Sequence, residues 1–267
     1  MPPQTPMRRY GLVVEFIVLA VLCCSATEAA TVPGDFATIQ AAINAVVNGP
    51  LPNGTVIDIQ PGTYAEALLI GATSRSLTLR AAGGAGTAVV DATGKNTSVL
   101  QVLSATGNIR IEGLKLRNGK GDFAHGGGFT FQSASPTVVN CTVENNSSTG
   151  NGGGGMIGGG SNAVFDGCVI QNNTASQFGG GLLITQGSRP IFSNCTIQGN
   201  ASGTTSNNGS GGGVNIQDAS PTFLFSRIVN NHASFAGGGI LAIGPFGSRT
   251  HHRHRTWTRC SDRSRSR

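Results

Sequence analysis

Few side chains in this chain could do acid–base or metal chemistry, and their spacing limits what that chemistry could be. Between residues 107 and 248 the carboxylates are Glu112, Asp122, Glu144, Asp166 and Asp218. Cation-assisted proton abstraction needs carboxylates clustered around calcium and a basic residue to take the proton. Glycoside inversion needs two carboxyls about 6.5–9.5 Å apart. Glu112 and Asp166 stand two 27-residue periods apart, with Val139 on the column between them. Stacked strands would put their backbones about 9.6 Å from each other. They are the sharpest hydrolase pair the chain offers, and two solvated outward acids are the simpler reading. Glu144 falls on a different column, next to Arg117 of the neighbouring coil. An exposed pair there is worth about 0–1 kcal/mol. Asp122 and His125 could form an acid–base or metal pair, but neither has a partner in later coils, so a polar loop is expected. No residue is assigned a catalytic, cofactor-binding or metal-ligating role, and no cofactor is expected.

The elements that would position these residues follow from the period. Cys141, Cys168 and Cys195 are 27 residues apart, and Leu114 and Ser226 extend the same column. Three positions earlier the column reads Ile111, Val138, Phe165, Phe192 and Phe223, and two positions later Leu116, Val143, Ile170, Ile197 and Ile228. Five positions after the cysteine column stand Gly119, Asn146, Asn173, Asn200 and Asn231. Glycine triplets beginning at Gly126, Gly153, Gly179, Gly211 and Gly237 precede Phe129, Met156, Leu182, Val214 and Ile240. A unit of this kind must stack on copies of itself to bury its apolar side. The period predicts a parallel β-solenoid with about three short strands per coil. The Asn and Gly columns are expected at bends with left-handed backbone angles, with asparagine amides bonded from coil to coil. The cysteines have the wrong spacing for zinc and poor geometry for disulfides, and are expected to form a buried ladder.

The ends of the chain differ from this body. Residues 1–29 read as a signal peptide, with Arg8 and Arg9 before an apolar run and small residues at its close. Residues 30–54 read as an N-terminal cap with an amphipathic helix, N-capped by Asp35 and stopped by Asn48-Gly49-Pro50. Residues 55–248 form the solenoid, regular from about 107, with early strands at 55–59, 67–70, 77–79 and 98–100. Residues 249–267 form a basic tail, expected to be disordered, whose abrupt onset suggests a shifted reading frame. The 41 glycines and 11% charged residues exclude a coiled coil or helical bundle. The net charge of +6 resides in the ends, since residues 31–248 hold nine basic and nine acidic side chains. No nucleic-acid partner is expected for the folded body, and no membrane-spanning segment for the mature chain.

Asp35-Phe36-Ala37-Thr38-Ile39-Gln40-Ala41-Ala42-Ile43, Pro61-Gly62-Thr63-Tyr64-Ala65-Glu66 and Leu77-Thr78-Leu79-Arg80 resemble the opening of right-handed parallel β-helix proteins of the pectin-lyase-like superfamily. The repeats, such as Ile170 to Asn173 followed by Gly179 to Leu182, resemble those of polymorphic outer-membrane proteins and other bacterial surface β-helices, with Gly-Gly-Gly where Gly-Gly-Ala is usual. The resemblance implies an all-β, right-handed parallel β-helix with an N-terminal capping helix. It also implies a place outside the cytoplasm, secreted or on the cell surface or outer membrane. It fixes no activity, because the superfamily includes lyases, hydrolases, esterases and adhesins. Gln217-Asp218 is followed by Ala219-Ser220, unlike the esterase signature, and polygalacturonase-like Asn-Thr-Asp and Gly-His-Asp motifs are absent. A non-catalytic structural, adhesive or ligand-binding protein, with a polysaccharide or a surface protein as partner, is the expected function; a polysaccharide lyase or hydrolase is the alternative. Phe123, Phe178 and Phe235, just before glycine triplets, are the aromatic side chains expected to line a loop face.

Overall fold

Alternating apolar and polar residues three to five long, punctuated by Asn and Gly, fold into stacked coils. The computed structural model describes residues 29–205 and 208–244, so the basic tail and all of the expected signal peptide but Ala29 lie outside the described residues. Every strand pairing among the described residues is parallel, in sheets of eight, seven, seven and five strands. One regular coil runs through Thr137–Val139 in the first sheet, Thr142–Glu144 in the second, Ser147–Ser148 in the fourth and Gly155–Gly158 in the third. The fourth strand, two residues long, is an addition to the three expected. Gly62–Tyr64 and Ala88–Asp91 are further strands of the second sheet that the sequence pattern did not reveal.

The three apolar columns point inward as the period requires. Phe165 and Phe192 stack at 4.6 Å between ring centroids, and Phe192 and Phe223 at 4.9 Å. Each such pair adds about 0.5–1.5 kcal/mol to the burial of the rings. Cys141, Cys168 and Cys195 are buried free thiols. Burial pushes the Cys141 thiol up to about 12. Cys168 is raised too, by its hydrogen bond with Cys195 and by burial.

The N-terminal end is closed by two structures. Ala29–Val32 adds a strand that pairs with Val56–Ile59, and the helix spans Ile39–Val47 with Ile39, Ala42, Ile43 and Val46 buried. Its N-cap is Thr38, whose hydroxyl accepts from Ala41 N, and not Asp35. Asp35 stands too early to reach the first turn and instead accepts from the backbone N and hydroxyl of Thr31. The Glu66 carboxylate supplies the charge that a helix N-terminus favours, accepting from Ile39 N and Gln40 N. Gln40 donates to Leu69 O and accepts from Leu69 N, covering the end strand of the third sheet and blunting an edge open to further pairing.

The bends correct two expectations. Left-handed angles fall one residue before the cysteine and asparagine columns, at Gly113, Asn140, Gly167, Asn194 and Phe225 and at Asn118, Asn145, Asn172, Gly199 and Asn230. The next residue then points inward. The Asn173 amide therefore spans its neighbours, accepting from Asn146 Nδ2 and donating to Asn200 Oδ1, both at 3.0 Å. The triplet of the second regular coil begins at Gly152 and not Gly153, because Gly155 pairs with both Phe129 and Leu182. The Phe129 ring occupies the space a Gly155 side chain would need, and Met156 shifts to the outer face of the strand.

Candidate functional site

The outward faces of the first and second sheets carry half of the Asp, Glu, Lys, Arg and His side chains among the described residues, because residues flanking each inward column point to solvent. On the second sheet one outward column reads Asp91, Arg117, Glu144, Gln171 and Gln198. The expected Arg117–Glu144 pair does not form. Arg117 turns to the preceding coil and donates to Asp91 at 2.9 Å, while Glu144 meets Lys115 Nζ at 3.3 Å. Glu144 also accepts from Gln171, and Gln171 from Gln198, so the strip is bonded from coil to coil between Glu144 and Gln198 and interrupted between Arg117 and Glu144. Burial opposes ionisation of Asp91, but bonds from Thr93, Asn118 and Arg117 outweigh it and hold the carboxyl well below its ordinary range. Burial likewise opposes charge on Glu144, and the bonds from Gln171 and Lys115 outweigh it.

On the first sheet Arg80 grips Asp58 through two bonds of 2.7 and 2.9 Å, and Arg110 meets Glu112 at 3.2 Å. Glu112 and Asp166 both register with Val139, as expected, so that side chain separates them. Asp166 accepts from Asn194 Nδ2. Asp218 occupies a left-handed bend. Asp122 accepts from Ala124 N, His125 N and the His125 ring, a closed loop in which both side chains are exposed. Burial opposes charge on Asp122, yet these bonds lower its pKa.

The aromatic expectation is only partly met. Phe123 and Phe235 are 61% and 75% exposed, whereas Phe178 is half-buried. Phe123 lies against Gly150, Gln177 bonds to Gly150, and Phe235 bonds to Gly209, so three non-aromatic rungs separate the exposed rings. A small apolar patch went unnoticed in the sequence: Val164, Ile191 and Leu224 face outward on the first sheet, beside Phe225, 91% exposed. Its signal was the apolar residue preceding Phe165 and Phe192, which alternation would make polar. Two shallow concavities, of 460 and 400 Å³, are lined by Gly, Ala, Ser, Thr and Asn, with Lys120 the one ionisable side chain. Among the described residues, neither concavity brings an acid and a base together.

Residues 82–247 match the model of the right-handed beta helix region. The chain belongs to the right-handed β-helix family. Among solved structures, this β-helix chain is similar to pectate lyase Pel9A, at 15% identity and a TM-score of 0.46, covering 73% of this chain and 54% of that one. It thus spans about half the length of that structure. A search of curated proteins returned no match. Among the described residues, no helix of this β-helix protein is long and apolar enough to cross a membrane.

Proposed function

We propose that this β-helix protein works outside the cytoplasm, secreted or displayed on a cell surface, as a rigid non-catalytic scaffold that binds a polysaccharide or a surface protein along its outward faces. The observation that carries this reading is the state of the charged side chains. Asp58, Asp91, Glu112 and Glu144 each lie within 3.3 Å of an Arg or Lys nitrogen. For Asp91 and Glu144, whose bonds hold the carboxyl below its ordinary range, this makes a poor proton donor at neutral pH. A ladder of Glu, Gln, Arg and Lys side chains repeating every coil instead offers donors and acceptors at a spacing of about 4.8 Å along a straight face.

Enzymatic action on a polysaccharide is the second reading, favoured by Glu112 and Asp166 on one outward column. Electrophoresis of the full chain through gels containing acidic or neutral polysaccharides tests the first. Retardation that is lost when Gln171 and Gln198 are both replaced by alanine supports a binding face on the second sheet. Unchanged retardation in that variant removes the face from the account.

A further inference from the structure

Five asparagines are followed directly by glycine: Asn48, Asn53, Asn118, Asn151 and Asn208. Asparagine is a thermolabile residue, and glycine makes it more so, having no Cβ to keep its amide nitrogen away from the preceding side-chain carbonyl. The solenoid closes four of the five steps. Gly54 N donates to Ser76 O, Gly119 N to Asn146 Oδ1 and Gly152 N to Phe178 O, each at 2.8 Å, and Gly209 N donates to Ser234 Oγ at 3.0 Å. Three of the four side chains are held as well. Asn53 accepts from Ser76 N, Asn118 donates to Asp91, and Asn151 accepts from Phe178 N. Each of these glycine nitrogens must leave a bond to the neighbouring coil before it can react.

The fifth step lies at the end of the capping helix, away from the coil-to-coil bonds. Asn48 is the exposed C-cap, with φ −120° and ψ −5°, and its own N–H goes back to Asn44 O. Among the described residues, Gly49 N–H finds no acceptor in hydrogen-bond geometry and the Asn48 side chain makes no hydrogen bond. The chain is gripped only beyond the reacting atoms. Arg75 donates to Gly49 O at 3.2 Å and to Leu51 O at 2.9 Å, and Leu51 N donates to Ala45 O.

We propose that Asn48-Gly49 is the site at which the folded chain deamidates and rearranges its backbone. Gly49 N gives its proton to water and forms a bond to Asn48 Cγ. The bond from Cγ to Nδ2 breaks, ammonia leaves, and a five-membered imide remains. Water then adds to one of the two imide carbonyls and that carbon's bond to nitrogen breaks, giving aspartate or isoaspartate. Water is the only co-reactant, and nothing is oxidised or reduced. In the isoaspartyl product the main chain runs through the side-chain methylene, so one extra carbon separates the helix from the carbonyls that Arg75 holds. Both products place a carboxylate at a helix C-terminus, where the helix dipole disfavours negative charge.

The test incubates the full chain in mildly alkaline buffer, once folded and once in urea. Peptide mapping with fragmentation follows the mass gained at each of the five asparagines as an amide becomes an acid, and an isoaspartyl methyltransferase labels the rearranged product. Glycine follows all five, so a difference in rate that exists only in the folded chain reports the fold. Opening one hydrogen bond first slows a site by about tenfold. Asn48 is therefore expected to lead the other four by about that factor in the folded chain, with methyltransferase label on its peptide, and to lose its lead in urea. A folded-chain rate at Asn48 no greater than those at Asn53, Asn118, Asn151 and Asn208 overturns the proposal. So does a lead that persists unchanged in urea, which would belong to the local sequence and not to the structure.

Discussion

Replacing Asn173 by alanine tests whether the amide ladder holds the coils in register. The side chain is fully buried and makes four bonds of 3.0 Å: it donates to Val143 O and Asn200 Oδ1, and accepts from Asn146 N and Asn146 Nδ2. Alanine leaves the Asn146 backbone N–H without that acceptor, while Asn146 Nδ2 keeps its bond to Leu116 O and Asn200 Oδ1 still accepts from Asn173 N. An orphaned buried donor or acceptor costs about 1–3 kcal/mol. With the Asn146 N–H and the Val143 carbonyl affected most, the loss is about 2–6 kcal/mol. Stacked repeats need not unfold in one step, so the readout is the urea midpoint of the circular-dichroism transition together with hydrogen exchange at the Asn146 amide. Asn172→Gly is the control, because that exposed bend takes glycine at Gly199 without strain. Midpoints for Asn173→Ala and Asn172→Gly that agree, with Asn146 still protected, would refute the reasoning.

Ile170→Asp places an unpaired charge between two coils and should cost several kcal/mol, read as a fall in melting temperature. The lowered pKa of Asp91 means that its contribution to stability is complete above the ordinary carboxylate value of 3.8 and is lost as pH falls below it. Asp91→Asn should therefore flatten the acid limb of a stability–pH profile, and an unchanged limb would show that the bonds from Thr93, Asn118 and Arg117 do not hold the carboxylate in its ionised form. The buried thiols of Cys141, Cys168 and Cys195 should resist a thiol-specific reagent in the native protein and react on unfolding. Rapid native labelling of any of them would place the cysteine ladder in solvent.

The regular coils were legible because a period of 27 residues repeats each environment several times, so one column of Phe or Ile carries as much information as a contact map. The cap was less so. Glu66 meets the helix N-terminus across a span of 27 residues that occurs once, and nothing in its local sequence marks it as a cap. Arg117 illustrates a second limit. Its column has carboxylates on both neighbouring rungs, Asp91 and Glu144, and alignment alone cannot choose between them; Thr93 and Asn118 fix Asp91 in place, and Lys115 occupies Glu144. The run from Gly152 to Gly155 hid its register because four identical residues offer two triplets, and only the Phe129 ring over Gly155 selects one. The link between triplets and ladder was also out of reach. A side chain on Gly128, Gly154, Gly181 or Gly213 would meet Asn146, Asn173, Asn200 or Asn231 Nδ2 at 2.8 to 3.1 Å and, closer still, the carbonyl oxygen of the next coil's glycine, so the ladder and the stacked backbone together exclude a side chain there.

The most direct test of the non-catalytic reading is a turnover measurement on the full chain, with acidic and neutral polysaccharides followed for new reducing ends and for unsaturated products. The account expects bound polymer of unchanged length, identical for the wild type and Asp166→Ala. Reproducible shortening by the wild type that disappears in Asp166→Ala would contradict it and make Glu112 and Asp166 the working pair.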